Sequence, residues 1–347
     1  MKLRKPPTDP PATTPNAPNA TNGNGDALAA FLRRSHLGPR QFHKALSLWP
    51  LLPTPGAPEP DGLDYVPLAQ ALEDGFVSVR EVDASGSVPH VRVENRAATS
   101  VLILFGEELR GAKQNRVANA SFLLAPQDER VIDVSCVEQG RWARRGGRFA
   151  TGGAEFEGSA PMLSSAIRRK MQKKVAMARA MTGTYGADQG EVWDEVSLRL
   201  GRSGVRSDSM AYADYARSRA RDIHEIAKSF HVLHDAGQVG FVAAIGDEIV
   251  GLEAIGRAEV FARLFPTLLH AYAIDAVDIE HVREINPRAR FDRPEAFLAA
   301  LASAPANAGP SLAMGSDVRL ASDAVEGCAL VAEGALVHLT AFAHVES

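Results

Sequence analysis

The sequence predicts an α+β protein: an N-terminal antiparallel β-sandwich or half-barrel unit, followed by a helical segment and a smaller mixed α/β unit. Three observations carry this prediction. Between Phe76 and Val137 apolar residues recur with the period of two expected of half-buried strands. After Gly158 the period lengthens to that of an amphipathic helix. Strand-like runs then return at Val239–Ile255 and Cys328–Phe342. The predicted divisions are a loosely ordered extension over residues 1–44, a β-rich domain over 45–158, and a helical plus α/β domain over 159–347 packed on it.

Each element has a local reason. Residues Met1 to about Gly25 are Pro, Asn, Thr and Gly with little to bury, so chain entropy wins there. A short helix is expected from Ala27 to about Arg34. Phe76–Val82 and Val88–Glu94 alternate around the turn-forming Asp83–Ser87, the pattern of a hairpin. Val101–Phe105 is a short apolar run suited to a strand buried on both faces, and Arg116–Leu124 and Arg130–Val137 complete the β-rich unit. Ser164 or Ser165 can cap a helix whose inner stripe is Ile167, Met171 and Val175. Asp188 with Glu191 reads as a capping box for a second helix, lined by Val192, Val196 and Leu200. A third helix is expected from about Met210 to Phe230. A strand pair turns at Gly246-Asp247, helices follow at about Ala258–Val277 and Pro294–Ala302, and a last strand pair turns at Glu333-Gly334.

Composition narrows the function classes. Apolar residues make up 45% and charged residues 23%, a balance that folds. A net charge of -4 gives no global attraction to nucleic acid or to an anionic membrane. The 2 cysteines, Cys136 and Cys328, cannot form a disulfide scaffold and suit a reducing compartment. No apolar run approaches the ~18 residues of a membrane span, and prolines follow Lys2, Arg4 and Lys5 where a signal peptide would be apolar. These features predict a cytoplasmic protein with no membrane partner.

One stretch concentrates chemistry. Gly106-Glu107-Glu108-Leu109-Arg110-Gly111-Ala112-Lys113-Gln114-Asn115-Arg116 leads into the strand ending at Leu124, and Arg130–Val137 continues into Glu138-Gln139-Gly140-Arg141-Trp142. Ala118, Ala120, Phe122 and Leu124 are apolar at even positions, as are Ile132, Val134 and Cys136. A shared core requires both even sets on one face. The expected register sets Phe122 opposite Ile132, Ala120 opposite Val134, Ala118 opposite Cys136, and Arg116 opposite Glu138. The apolar stripe then ends in a polar group: Lys113, Gln114, Arg116, Glu138, Gln139, Arg141 and Trp142. A cross-strand ion pair at a sheet end explains part of this. A small-ligand pocket explains more of it, because convergent polar groups beside an apolar wall define such pockets.

The residue types suggest roles. Glu108 and Glu138 are candidate acid/base carboxylates, with Glu107 beside them. Lys113, Arg116 and Arg141 suit a phosphate or carboxylate, and Trp142 suits stacking. Gln114 and Gln139 supply amides, while Gln189 and Glu191 at a helix start could add an anion site to the same pocket. Cys136, on the inward stripe, reads as a small hydrophobe. The Arg168-Arg169-Lys170 and Lys173-Lys174 run reads as a solvated helix face, since no aromatic residue is interleaved for nucleic-acid binding. His231 and His234 have metal-ligand spacing but no evident third ligand. P-loop, Rossmann, G-x-S-x-G, H-E-x-x-H and C-x-x-C motifs are absent, and the sequence leaves the cofactor open.

Val93-Glu94-Asn95-Arg96, Gly106–Leu109, Gly111–Arg116, Val134–Trp142 and Asp188–Trp193 together resemble a bacterial family. It is the one named for association with ADP-ribosylglycohydrolases and the rhodanese-phosphatase superfamily. The resemblance spans roughly Leu46 to Phe342. Its name records genomic company, which implies work on or near ADP-ribose, NAD-derived nucleotides or their phosphates. Two readings follow: a protein that binds, or also processes, an anionic nucleotide, and a non-catalytic interaction or scaffold domain. A basic-helix contact with nucleic acid is a weaker third.

Overall fold

The computed structural model describes residues 21–56, 63–82, 89–111, 113–140, 149–150, 162–279 and 291–344. The expected turn over Asp83–Ser87 and the candidates Arg141 and Trp142 lie outside the described residues. The chain opens with α1 (Thr21–Arg33), which starts earlier than the expected helix, then β1 (Ser35–Leu37), β2 (Gln41–His43) and β3 (Leu46–Pro53). The β-rich unit follows with β4 (Tyr65–Pro67), α2 (Leu68–Glu73), β5 (Val77–Glu81), β6 (His90–Asn95), β7 (Ser100–Ile103), β8 (Glu108–Gly111), β9 (Arg116–Ala118), β10 (Phe122–Leu124), β11 (Asp128–Cys136) and β12 (Phe149–Ala150). The helices are α3 (Ser165–Thr182), α4 (Gln189–Ser203), α5 (Tyr212–Ser218) and α6 (Ala220–Ala227). Then come β13 (Gly240–Ile245), β14 (Glu248–Ile255), α7 (Ala258–Val277), α8 (Pro294–Ser303), β15 (Ala306–Pro310), β16 (Ser316–Ala321), β17 (Val325–Ala332) and β18 (Ala335–Ala343).

A large antiparallel sheet runs in the order β1-β3-β13-β14-β18-β17-β16-β15, with β2 also paired to β3. Both faces are covered, which is why Phe241–Ile245 reads as one unbroken apolar run. Val242 and Ala244 face a core built with Leu28, Phe31, Phe297 and Leu301 of α1 and α8. Phe241 and Ala243 face the other way, onto Phe261, Leu268 and Tyr272 of α7 and onto α3. Helix α7 is long and apolar enough to suit a membrane span by composition, yet most of it is buried inside this layer.

The second unit is a six-stranded sheet, β12-β8-β9-β11-β6-β5, with β10-β7-β4 beside it. Its end strands β12 and β5 come into contact, so the sheet curls into a half-barrel. Inside lie Val79, Val91, Val93, Leu109, Phe122, Ile132 and Val134, closed by Leu68 and Ala71 of α2.

The expected pairing of residues 116–124 with 130–137 needs correction. The first stretch is two strands, and the observed register sets Ala118 opposite Val134 and Arg116 opposite Cys136, two residues from expectation. At Asn119–Ser121 the chain leaves β11, and β10 pairs with β7 instead. Asn119 holds this departure: its amide donates to Tyr185 O at 2.9 Å, and its Oδ1 accepts from Ser135 Oγ at 2.8 Å. A shift of two keeps side chains on their faces. The even residues Ala118, Ala120, Phe122, Ile132 and Val134 therefore share one core, as their pattern requires.

Helix starts agree with their sequence signals. Ser164 Oγ accepts from Ile167 N at 3.3 Å, and Asp188 Oδ1 accepts from Glu191 N at 3.2 Å. The single helix expected over residues 210–230 is two, α5 and α6, meeting at Arg219.

Candidate functional site

The segment from Gly106 to Arg116 places its polar side chains at the seam between the half-barrel and the helices. Gln114 Oε1 accepts from Arg116 Nη1 at 2.9 Å and from Cys136 Sγ at 3.2 Å. Glu138 accepts from Asn115 N at 3.1 Å through one oxygen and from Ser209 Oγ at 2.8 Å through the other. Asn115 Nδ2 donates to Glu108 Oε1 at 3.1 Å, and Arg110 Nε lies 3.7 Å from the second Glu108 oxygen. Gln189, at the start of α4, brackets the Cys136 backbone: its Oε1 accepts from Cys136 N and its Nε2 donates to Cys136 O, both at 2.7 Å. A side-chain amide thus replaces a neighbouring strand at the end of β11.

The structure therefore brings together Glu108, Gln114, Arg116, Glu138 and Gln189. Arg116, Glu108 and Glu138 are at most 1% exposed, so they form an inner layer rather than a pocket wall open to water. Burial pushes the Glu108 carboxyl up, against the pull of the Arg110 charge and the Asn115 bond. Burial also raises the Cys136 thiol, which leaves it a poor nucleophile. Lys113 and Gln139 lie further out. Lys113 is half-buried with its backbone N–H on Glu81 Oε1 at 3.3 Å, and Gln139 is exposed. Glu191 turns toward α3, 3.6 Å from Lys174, and does not join the cluster. Among the described residues no group of three or more His, Cys, Asp or Glu is placed to hold a metal.

Two further buried networks were not legible as sites. Glu253 Oε1 accepts from Arg168 Nη2 at 2.7 Å, Tyr272 Oη at 2.9 Å and Thr340 Oγ1 at 3.0 Å. Its other oxygen is 3.3 Å from His338 Nε2, while His338 Nδ1 is 2.6 Å from Ser121 Oγ. Ser121 also accepts from Phe105 N at 3.0 Å. A carboxylate only accepts, so His338 carries a proton on Nε2 toward Glu253. In the second network Asp275 accepts from Ser165 Oγ at 2.6 Å, Ala166 N at 2.9 Å and Arg199 Nη2 at 2.8 Å. The solvated-face reading of the basic run fails at Arg168. That side chain is fully buried, because the turn at Gly106 and strand β14 close over the first turn of α3. A usable signal was present: Glu253, Asp275 and His338 are isolated polar residues within long apolar runs, where an uncompensated charge would be prohibitive.

Glu107 links the two units. Its backbone bridges to Met162, and its Oε2 accepts from Leu104 N at 3.0 Å. Burial raises its carboxyl from 4.5 to about 7, with the Leu104 bond opposing. The folded protein therefore binds this proton more tightly than the unfolded chain does. The associated stability is full below the ordinary carboxylate range and is lost as pH rises through 4.5 to about 7. The loss is expected to reach about 3 kcal/mol, and Glu107→Gln should abolish it. Urea unfolding at several pH values checks this. A mutant that keeps the wild-type slope between about pH 5 and 8 would assign it to another group.

Fold and cluster together define an α+β protein in which a half-barrel is fastened to a helix-covered sheet by a buried Glu, Gln, Asn and Arg motif. Residues 34–342 match the family described as the ARG and Rhodanese-Phosphatase-superfamily-associated Protein domain. The chain belongs to that family, and the match includes every motif segment above. No curated protein and no solved structure matches it.

Proposed function

We propose that the chain binds an anionic nucleotide of the ADP-ribose or NAD-derived kind at the outer side of the Gln114–Arg116–Glu138 cluster. The observation that carries this reading is the concentration of buried, mutually oriented carboxylates, guanidiniums and amides next to Lys113 and Gln139 in sequence. Rigid support of this kind is what a binding site requires from the layer behind it. In this reading Lys113 and Gln139 meet the ligand, Arg116 supplies positive potential from below, and Glu108 is the carboxyl that holds a proton. The family's name, with its ADP-ribosylglycohydrolase association, favours the same ligand class. Both cysteines are free and buried, which favours the cytoplasm as the place of action.

A second reading is favoured by a specific observation. Gln189 of α4 brackets the Cys136 backbone of β11, and Glu138 accepts from Ser209 Oγ, so both side chains tie the half-barrel to the helices. In that reading the motif is a fastening between units, and the chain is an interaction or scaffold domain. Thermal shifts with ADP-ribose, NAD and AMP separate the two. At a hundredfold excess over Kd a true ligand stabilises by about 2.7 kcal/mol. The binding reading expects this for wild type and its loss in Lys113→Ala and Gln139→Ala, whose own stabilities should be near wild type. If none of the three nucleotides shifts the transition, the fastening reading replaces it.

A further inference from the structure

A charged cluster outside the motif joins the end of α3, the loop that follows it and strand β16. Asp317 and Arg319 lie on β16, Arg179 lies in the last turn of α3, and Tyr185 lies just beyond that helix. Both guanidiniums stand over the Tyr185 ring, Arg179 at 4.9 Å and Arg319 at 5.5 Å from its centroid. One carboxylate oxygen serves both: Asp317 Oδ2 accepts from Arg319 Nε at 2.8 Å and lies 3.7 Å from Arg179 Nε. Two cations against one anion leave this cluster with a net positive charge. The three charged side chains are mostly buried, so solvent screens that charge little.

The hydrogen bonds show where the charge is unmet. Arg179 is committed to backbone: its Nη1 donates to Gly183 O at 2.5 Å and its Nη2 to Pro310 O. Arg319 donates through Nε to Asp317 and through Nη1 to Gln172 Oε1 at 3.3 Å. Those two bonds fix its guanidinium plane, yet its Nη2 is buried and meets no partner among the described residues. The hydroxyl of Tyr185, the ring that Arg319 covers, is in the same condition, and this side chain is fully buried. An unmet buried donor is costly. One acceptor atom at ordinary hydrogen-bond lengths bridges donors up to roughly 6 Å apart. A water there would have to direct its own hydrogens among donors, whereas an anion only accepts.

We propose that Tyr185 Oη and Arg319 Nη2 hold a small inorganic anion of halide size, which balances the second guanidinium. Tyr185 is held by the half-barrel: its ring meets Phe122 at 5.6 Å, its N–H donates to Asp133 Oδ2 at 2.7 Å, and its O accepts from Asn119. Arg319 belongs to the large sheet. The ion therefore couples the two units, independently of nucleotide binding at the motif. The test uses the full chain and sodium bromide, with sodium gluconate holding the ionic strength constant. The expected result is a urea midpoint that rises with bromide and saturates. Arg319→Gln should abolish the rise, and Tyr185→Phe, which removes one hydroxyl, should raise the half-saturating bromide concentration about threefold or more. Arg130→Gln, at an exposed position on the half-barrel, should keep the wild-type response. Crystals soaked in bromide should show its anomalous signal within hydrogen-bond reach of Tyr185 Oη and Arg319 Nη2. A water at that position, a midpoint that never responds or never saturates, or a response unchanged in both variants would overturn the proposal. So would a bromide peak with no effect in solution, which marks an adventitious ion only.

Discussion

Glu253→Gln is expected to cost about 3–5 kcal/mol of folding stability, the usual penalty for removing one partner of a fully buried ion pair. The substitution preserves shape and leaves an acceptor for Tyr272 and Thr340, while its amide NH2 meets the His338 Nε2–H, so the loss combines the missing charge with that donor–donor contact. What remains is Arg168, fully buried and stripped of its counter-ion. For a domain stable by roughly 5–15 kcal/mol this is a large fraction of the total. Burial raises the Glu253 carboxyl, but Arg168 and the His338 bond outweigh it, and the net direction is down. Its contribution is therefore present above the ordinary carboxylate range and disappears in acid, opposite in sign to that of Glu107. A double-mutant cycle with Arg168→Met, read by urea denaturation, checks the assignment. The double variant should recover much of the loss, because it removes both charges. A single-mutant cost below about 1 kcal/mol would mean that water reaches the pair.

Gly106→Ala is expected to cost about 2–4 kcal/mol, from positive-φ strain together with overpacking. Gly106 has φ +82, and a Cβ there would lie 2.3 Å from Arg168 Cδ and 2.8 Å from Cγ. Arg168 cannot swing aside cheaply. Its Nε is held by Leu163 O at 3.2 Å and its Nη2 by Glu253. Gly75 provides the control: its φ is +74, and a Cβ there meets nothing within 4 Å. Gly75→Ala should show only the backbone strain, about 1–2 kcal/mol. Equal costs at the two positions would show that Arg168 does not press on Gly106. The glycine that opens the motif is thus explained by close approach of an arginine from another unit.

The two predictions share a physical theme. Arg116, Arg168 and Arg199 are among the largest fully buried side chains, and each has a polar partner within its own network. Buried ion pairs add little net stability over apolar packing, but a wrong arrangement leaves a charge unpaired. Such networks suit a role in setting how the half-barrel sits on the helices and the large sheet. The motif cluster joins β11 to the helices in the same way, through Gln189 and Glu138.

The local elements were set by the chain's own pattern. Period two at Phe76–Val82, the caps at Ser164 and Asp188, and the turn at Gly246-Asp247 act over a few residues, and the strands and helices form where those signals stand. Side-chain parity was equally local, so Arg116 lies on the inward stripe as the even-position pattern demands. Register was not local. It changed by two because Asn119 finds Tyr185 and Ser135, contacts that no spacing rule along the strand contains. The pairing of Arg168 with Glu253, 85 residues apart, and of Ser121 with His338, 217 apart, belongs to the same class. Sequence by itself determined which apolar residues had to be buried, but not the burial of Arg168. Tertiary structure alone decided which of them meet, because a charge inside the fold is tolerated only where a partner from a distant segment arrives to compensate it.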